Sequence, residues 1–377
     1  MKKLLALLLV LVMMVGLVAC SNNDSKETEA PEKEEVKTEA QQEEKTDAPA
    51  EPEAKKTIYV LAPNPDHGWT GAVGVFAQEK VDELNAEGKY NMVLQTFATA
   101  DDQIKQIEDI IANNPGDGSV GVVMLPQGEA VENAIQQLVD NNIPYSAVDR
   151  IIASVKDTAV SNVKYDNVEF GAAAAYYLVS HGMKEGDKVV VVEGDDSSAG
   201  TDRTDGFNKF LKGEIEYRGE KIAEPWTSLD AVSYSGATNW NRAVAQTYFE
   251  TYLSNPENAQ TRYVVTWDDE LAIGVFDALE GSAIDASVKE EFLAGKPYIT
   301  GGGGPQIMYD IIGGKNTDYS CVKSFSGIMS VTYPPAMIQV AIQDMIDHFE
   351  GKEVIQENTQ SAECVDASNV DNYVGFY

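Results

Sequence analysis

The stretch KVVVVE, residues 188–193, decides the fold of this 377-residue chain. Its four consecutive valines do not alternate with polar residues, which is typical of a parallel strand covered by helices on both faces. The run VGVVML, residues 120–125, has the same character. Between such runs lie amphipathic stretches such as Gln103–Asn113, which places its isoleucines along one helical face. Strands and helices that alternate in this way predict an α/β protein built on doubly wound parallel sheets.

The alternation occurs twice, and residues 57–377 are long for a single core, so we predict two lobes. The first series has strand-like runs at Ile58–Ala62, Met92–Phe97, Val120–Leu125 and Tyr145–Val148. A second series follows Asp166. It has an alanine-rich helix to Ser180, strands at Lys188–Glu193 and Tyr263–Trp267, and helices around Phe207 and at Arg242–Leu253.

The N-terminus has the features of an export signal. Two lysines precede a short apolar run, and Cys20 follows a small residue, so we interpret residues 1–20 as a lipoprotein signal peptide that leaves lipid on Cys20. The apolar run is shorter than the roughly 20 residues that span a bilayer, which disfavours a retained membrane helix. Residues 21–56 are acidic and almost without apolar side chains, so they predict a disordered tether. We therefore expect a protein anchored to the outer face of the cell membrane, facing the periplasm if the cell has an outer membrane; a long tether favours a Gram-positive type of surface.

The charge and the cysteine content of the chain limit the classes of partner and cofactor that it could bind. The chain has 61 acidic and 28 basic residues and a net charge of −33, which would repel nucleic acids and anionic lipid headgroups. Besides Cys20 there are only Cys321 and Cys364. We expect these two to form a disulfide outside the cytoplasm, with two buried thiols as the alternative. Neither thiol has the neighbours of a metal or redox motif, and no metal or other cofactor is predicted.

Charged and aromatic residues recur after successive strands, where ligands bind in open α/β sheets. A small polyhydroxylated ligand needs this mixture, because charged groups hold its hydroxyls and aromatic faces cover its C–H surfaces. Each residue alone has an ordinary structural explanation, such as a surface ion pair for Asp149 and Arg150. Their repetition favours a sugar site, and the candidates are Asn64, Asp66, His67, Trp69, Asp149, Arg150, Arg203, Trp240 and Asp268.

These motifs resemble those of the exported sugar-binding proteins of the ribose/galactose type, which are type I periplasmic binding proteins of ABC importers. Asp149-Arg150 matches the family's Asp-Arg after the fourth strand, and RTDGF, residues 203–207, matches its Arg-x-x-Gly-Phe. TNWNR, residues 238–242, matches an aromatic near a helix start. DDELAIG, residues 268–274, is similar to the family's NDEMALG and puts Asp268 at the ligand-facing Asn position. The resemblance covers Thr57 to about Tyr377.

The chain departs from the family at two positions. The family's GFDG turn corresponds to the run GGGGP, residues 301–305, with Gly302 in place of a ligand-binding Asp. The late polar contact of the family falls near Thr332. Glycine-rich turns also cradle phosphates, but no Gly-Lys-Ser/Thr follows this run, so a tight turn is the better interpretation.

The resemblance implies two lobes, 57–165 with 333–361 and 166–332 with 362–377, joined by a hinge of three chain crossings. It implies a non-enzymatic protein that captures a small sugar or polyol and delivers it to an ABC permease with its ATPase. One alternative is a sensor whose closed form is recognised by a membrane receptor. Another is an exported hydrolase, although the chain has only three histidines and no G-x-S-x-G elbow.

Overall fold

A computed structural model describes residues 55–66, 68–114 and 116–377. The signal peptide, the tether and Cys20 lie outside the described residues. The strands are β1 Thr57–Pro63, β2 Asn91–Phe97, β3 Val120–Met124, β4 Tyr145–Val148, β5 Asn162–Tyr165, β6 Val189–Glu193, β7 Val232–Ala237, β8 Tyr263–Thr266, β9 Tyr298–Gly303, β10 Gly327–Thr332, β11 Glu357–Gln360 and β12 Cys364–Val365. The helices are α1 Gly68–Glu87, α2 Ala100–Asn113, α3 Glu132–Asp140, α4 Asn167–Ser180, α5 Ser198–Leu211, α6 Arg242–Tyr252, α7 Asp269–Glu280, α8 Ala286–Ala294, α9 Gln306–Ile312 and α10 Met337–Phe349.

The strands form two six-stranded sheets, ordered β11-β5-β4-β3-β1-β2 and β12-β10-β9-β8-β6-β7. Every pairing is parallel except that of β12 with β10. The chain passes between the sheets three times: after β5, after β10 and between β11 and β12. Helix α10 packs against β3, β4 and β5, so the chain returns to the first sheet after β10. Two α/β sheets joined by three chain crossings are the predicted fold class, which is confirmed.

The valines of β6 show why an unbroken apolar run predicted the sheet. All four are fully buried. The first and third belong to the same buried cluster as Phe207 of α5, while the second and fourth belong to that of Phe249 of α6. Burying one such side chain contributes about 1.5 kcal/mol or more. Because both faces of the strand are covered by helices, none of these four positions is left for a polar residue, and the polar Glu193 comes only at the end of the strand.

Helix α2 begins at the residue that its sequence favours. The Thr99 hydroxyl accepts the Asp102 N–H at 3.2 Å, and the Asp102 carboxylate accepts the Thr99 N–H at 3.0 Å. This reciprocal capping box satisfies two backbone donors that would otherwise lack partners at the helix end. The Ile107 and Ile110 side chains are buried, as their helical spacing predicts.

The expected disulfide is not formed, because the two cysteines pack in different parts of the second lobe. Cys321 lies 4.0 Å from the carbonyl oxygen of Phe276, whereas Cys364 lies 3.8 Å from the hydroxyl of Tyr217. Both are free thiols. Burial raises the pKa of Cys364 to about 11 and raises that of Cys321 as well, so both stay protonated at neutral pH. The alternative of two buried thiols is therefore correct for Cys321, whereas Cys364 is free but only half-buried.

Across the part of the chain that the structure describes, no helix has the length and apolar character needed to cross a bilayer.

Candidate functional site

A cavity of about 700 Å³ lies where the strands of both sheets end. Parallel strands bring their carboxyl ends to one edge, so loops far apart in sequence meet there. Its lining from the first lobe is Gly68, Trp69, Thr70, Asp149 and Arg150. Tyr333 comes from a chain crossing, and the second lobe adds Ser197, Ala199, Arg203, Asn239, Trp240, Asn241, Arg242, Ala243, Gln246, Asp268, Glu270, Asp277, Gly302 and Gly303.

Arg203 of α5 is the most enclosed charge in the cavity, with 5% of its surface exposed. Its Nε donates to Asn167 Oδ1 at 2.9 Å, and its Nη1 donates to the carbonyl oxygen of Trp267. The guanidinium carbon lies 4.0 Å from the ring centre of Phe170 and 4.6 Å from that of Tyr333. Cation–π attraction in a desolvated site is worth about 2 kcal/mol. The side chain is thus held in one position, and its Nη2 makes no hydrogen bond to any described residue.

Tyr333 links the two lobes. It directly follows β10, on a chain crossing, and its hydroxyl donates to the Asp149 carboxylate at the end of β4. The Trp69 indole N–H donates to the Tyr333 carbonyl oxygen at 2.6 Å, and the two ring centres are 5.4 Å apart. Burial, with the charge of Asp149, raises the pKa of Tyr333, so the hydroxyl remains a donor. Trp69, Tyr333 and Asp149 therefore form one connected wall.

Trp240 occupies the opposite side on a strained loop between β7 and α6. Asn239 and Trp240 have φ angles of 55° and 58°, in the left-handed region that non-glycine residues rarely adopt. The indole covers Gly194, where a Cβ would overlap the ring, and the Arg203 guanidinium lies 5.2 Å from the ring centre. Such strain is concentrated at ligand sites, where it holds a side chain in a required orientation.

Two adjacent carboxyl groups at the start of α7 have different partners. Asp268 lines the cavity, and its carboxylate caps α7 by accepting the Glu270 N–H at 2.6 Å. Asp269 is buried beneath the cavity and accepts the Ser330 hydroxyl at 2.6 Å and the Gly304 N–H at 2.9 Å. Burial raises the pKa of each from 3.8 to about 7.

The glycine run before α9 is explained by close packing. A Cβ at Gly301 would overlap the Asp269 carboxylate, and one at Gly302 would overlap the ring of Phe170. The N–H of Gly304 is already donated to Asp269. Any side chain at position 302 would therefore collide with Phe170, so only glycine fits there. The carboxylate of Asp269 also occupies the place where a phosphate-binding turn would receive its anion.

The structure brings together seven of the residues that the sequence singled out: Trp69, Asp149, Arg150, Arg203, Trp240, Asp268 and Gly302. Asn64 and Asp66 do not line the cavity; they form a turn in which the Asp66 N–H donates to the Asn64 carbonyl at 2.8 Å. Thr332 does not line it either, because its hydroxyl accepts the Glu363 N–H at 2.9 Å. His67 lies outside the described residues.

Sequence reasoning missed Tyr333 and Asn167. Tyr333 is one residue beyond the predicted contact, and the aromatic that follows the final strand of the second series was the available signal. Asn167 touches Arg203 from the start of α4, and no sequence motif marked it. Among the described residues, no group of three or more histidine, cysteine or acidic side chains is arranged to hold a metal ion.

Comparisons with known proteins agree with this architecture. A family model described as "Periplasmic binding protein domain" matches residues 58–353. No curated protein is significantly similar in sequence. Solved structures with a similar fold include the binding protein of an arabinose ABC transporter from Shewanella sp. ANA-3, bound to L-arabinofuranose, at a TM-score of 0.61 and 15% identity over 84% of this chain and 93% of that one.

Two further solved structures have the same fold. A myo-inositol binding protein from Caulobacter, bound to myo-inositol, has a TM-score of 0.63 and 18% identity over 85% of this chain and 96% of that one. A periplasmic solute-binding protein from Actinobacillus succinogenes, with bound D-allose, has a TM-score of 0.62 and 20% identity over 85% of this chain and 100% of that one. The family model spans most of the chain and the fold agrees with it, so this chain belongs to the periplasmic binding protein domain family.

Proposed function

We propose that this protein is an extracytoplasmic solute-binding protein that captures a small sugar or related polyol and delivers it to an ABC importer permease with its ATPase. The observation that carries the proposal is Arg203, a buried guanidinium fixed between aromatic rings at the junction of two lobes, with donors still unused. The similar solved structures bound to arabinofuranose, myo-inositol and allose support the ligand class.

The lining offers complementary groups for a sugar. The free N–H groups of Arg203 and Arg150 are donors for ring and hydroxyl oxygens, while Asp149 and Asp268 accept from hydroxyls. The indoles of Trp69 and Trp240 offer flat faces for the apolar C–H sides of the ring.

Capture requires both lobes. We propose that residues 57–165 with 333–361 and residues 166–332 with 362–377 move as two bodies about the three crossings. Asp149, Arg150 and Trp69 belong to the first, and Arg203 and Trp240 to the second. Because a ligand reaches both sets only when the lobes approach, binding energy shifts the population toward a closed form. The closed form is then the species presented to the permease.

We further propose that lipid at Cys20 holds the protein at the outer face of the cell membrane and that residues 21–56 act as its tether. The basis is the sequence alone. Metabolic labelling with an alkyne fatty acid tests this proposal. The Cys20→Ser protein should lose the label, and the Cys364→Ser protein, as the control, should keep it. Equal labelling of the Cys20→Ser protein would contradict the anchor.

A thermal-shift screen of the mature protein against a panel of small sugars and polyols tests the binding function. A ligand present at 100 times its Kd stabilises the folded protein by about 2.7 kcal/mol. In a chain of this size, that raises the Tm by at most several degrees. If no sugar or polyol raises the Tm, the proposal fails.

We propose binding without catalysis. Incubating the protein with the ligand found in the screen and with its glycosides, followed by chromatography, should recover every compound unchanged. A new product would support the exported hydrolase instead.

A further inference from the structure

The cavity extends beyond the residues that surround Arg203. It continues between the first turns of α6 and the length of α7, where it is lined by Arg242, Ala243, Gln246, Glu270 and Asp277, which we call the outer groove. Arg242 and Gln246 are four residues apart on α6, and Glu270 and Asp277 are seven apart on α7, so each pair lies on one helical face. The outer groove is formed entirely by the second lobe.

The groove makes the cavity long. Asp277 lies eight residues after the start of α7, and at 1.5 Å per residue this places it about 12 Å along the helix from the strand edge. Gly274 allows the two helices to pack closely, because a Cβ there would press on the carbonyl oxygen of Arg242. A volume of about 700 Å³ falls in the range of about 300–1,000 Å³ that suits drug-sized ligands, which are larger than one sugar ring.

One side of the groove is fixed by internal bonds. Arg242 makes a bidentate pair with Asp277, from Nε at 2.6 Å and from Nη2 at 2.9 Å, and Nη2 also donates to the Tyr319 hydroxyl at 2.7 Å. These contacts raise the pKa of Arg242, with the hydrogen bond to Asp277 as the main cause. The planar pair is a rigid, polar surface that needs no ligand for its own stability.

Two other groove side chains, Gln246 and Glu270, keep oxygen acceptors that have no hydrogen bond within the described parts of the chain. The Gln246 side-chain nitrogen donates to Glu250 at 2.9 Å, but its amide oxygen has no hydrogen-bond partner in the described parts of the chain. The nearest cation to the Glu270 carboxylate is the Arg242 Nη1, 4.0 Å away. Both are acceptors, which suits hydroxyl donors, and the exposed methyl of Ala243 lies on α6 between Arg242 and Gln246.

We propose that the ligand is larger than a monosaccharide: a disaccharide or glycoside whose first ring binds beside Arg203 and whose second unit lies in the outer groove, donating hydroxyls to Gln246 and Glu270. The inference rests on the proposed sugar-binding function and specifies its substrate class. The second unit contacts one lobe only, so it adds affinity without hindering closure.

Calorimetry on the mature protein tests this with matched sugars: glucose with maltose and cellobiose, galactose with lactose and melibiose, and xylose with xylobiose. At least one disaccharide should bind about tenfold more tightly than its constituent monosaccharide, as expected from one or two added hydrogen bonds. Gln246→Ala and Glu270→Ala should each weaken that disaccharide about fivefold and leave the monosaccharide within twofold. Thr247→Ala, an exposed neighbour on α6, is the control and should change neither.

The outcomes separate the two proposals. If monosaccharides bind and every disaccharide is weaker, or if the two variants weaken both ligands equally, the second subsite is refuted and the sugar-binding function stands. If no sugar of either size binds and no polyol raises the Tm in the thermal-shift screen, the proposed function is refuted and the subsite with it.

Discussion

Replacing Arg203 by alanine should abolish most ligand affinity, and the structure gives the size of the effect. The guanidinium is nearly buried, positioned by Asn167 and Trp267, and enclosed by aromatic rings. Hydrogen bonds to a charged group are worth about 1.5–3 kcal/mol each. Losing one or two such bonds to the ligand should cost about 2–4 kcal/mol, a decrease of roughly 30- to 1,000-fold in affinity.

The same substitution also affects folding, so the assay must separate the two effects. Without the guanidinium, the acceptors on Asn167 and Trp267 lose a buried donor, at about 1–3 kcal/mol each. Calorimetry should therefore run well below the Tm of each variant, after circular dichroism confirms a native spectrum. Arg203→Lys, which keeps the charge without the planar fork, should bind with intermediate affinity. The exposed Arg218→Ala is the matched control. A folded Arg203→Ala protein that binds within threefold of wild type would refute the reasoning.

Three other substitutions test separate parts of the site. Tyr333→Phe removes the donor to Asp149 and should weaken sugar binding by about 1–2 kcal/mol, roughly five- to thirtyfold; calorimetry showing unchanged affinity would contradict this. Gly302→Asp forces a side chain against Phe170 and should lower the free energy of unfolding by about 1–3 kcal/mol in urea titrations, without improving affinity. Asp269 has a folded pKa of about 7 against an ordinary value of 3.8, so its contribution to stability is full below pH 3.8 and is lost as the pH rises through 7. Asp269→Asn should therefore reduce the fall in Tm between pH 4 and 7, and an unchanged slope would exclude this carboxyl group as a cause.

The fold could be predicted because its signals are local. The valines of β6 and the run at β3 are buried on both faces, so their sequences contain no polar residue that would obscure the pattern. β7 was missed, since most of its residues are exposed and include serine and glycine. β11 and β12 are short edge strands of four and two residues, and their sequences have no run long enough to be recognised.

The site could be predicted only as far as strand ends could be located. Asp149 directly follows a clear strand and Arg203 begins a recognisable motif, so both were predicted. Thr332 and Tyr333 differ by one position, and which of them faces the cavity depends on where the chain leaves β10. The role of Gly302 depends on Phe170, which is more than a hundred residues away in sequence, and no local pattern contains that contact.

Tyr333 offers a physical reason why ligand binding and lobe closure would be coupled in this protein. Its backbone lies on a chain crossing, while its hydroxyl is bonded to Asp149 of the first lobe and its ring lies against Arg203 of the second. A rotation of one lobe about the crossings must therefore displace the Tyr333 ring relative to at least one of these two partners. A ligand bonded to both Asp149 and Arg203 would favour the geometry in which all three contacts hold at once. The energy of the two Tyr333 contacts would then favour one hinge geometry directly, since Tyr333 lines the ligand cavity and is itself part of the hinge.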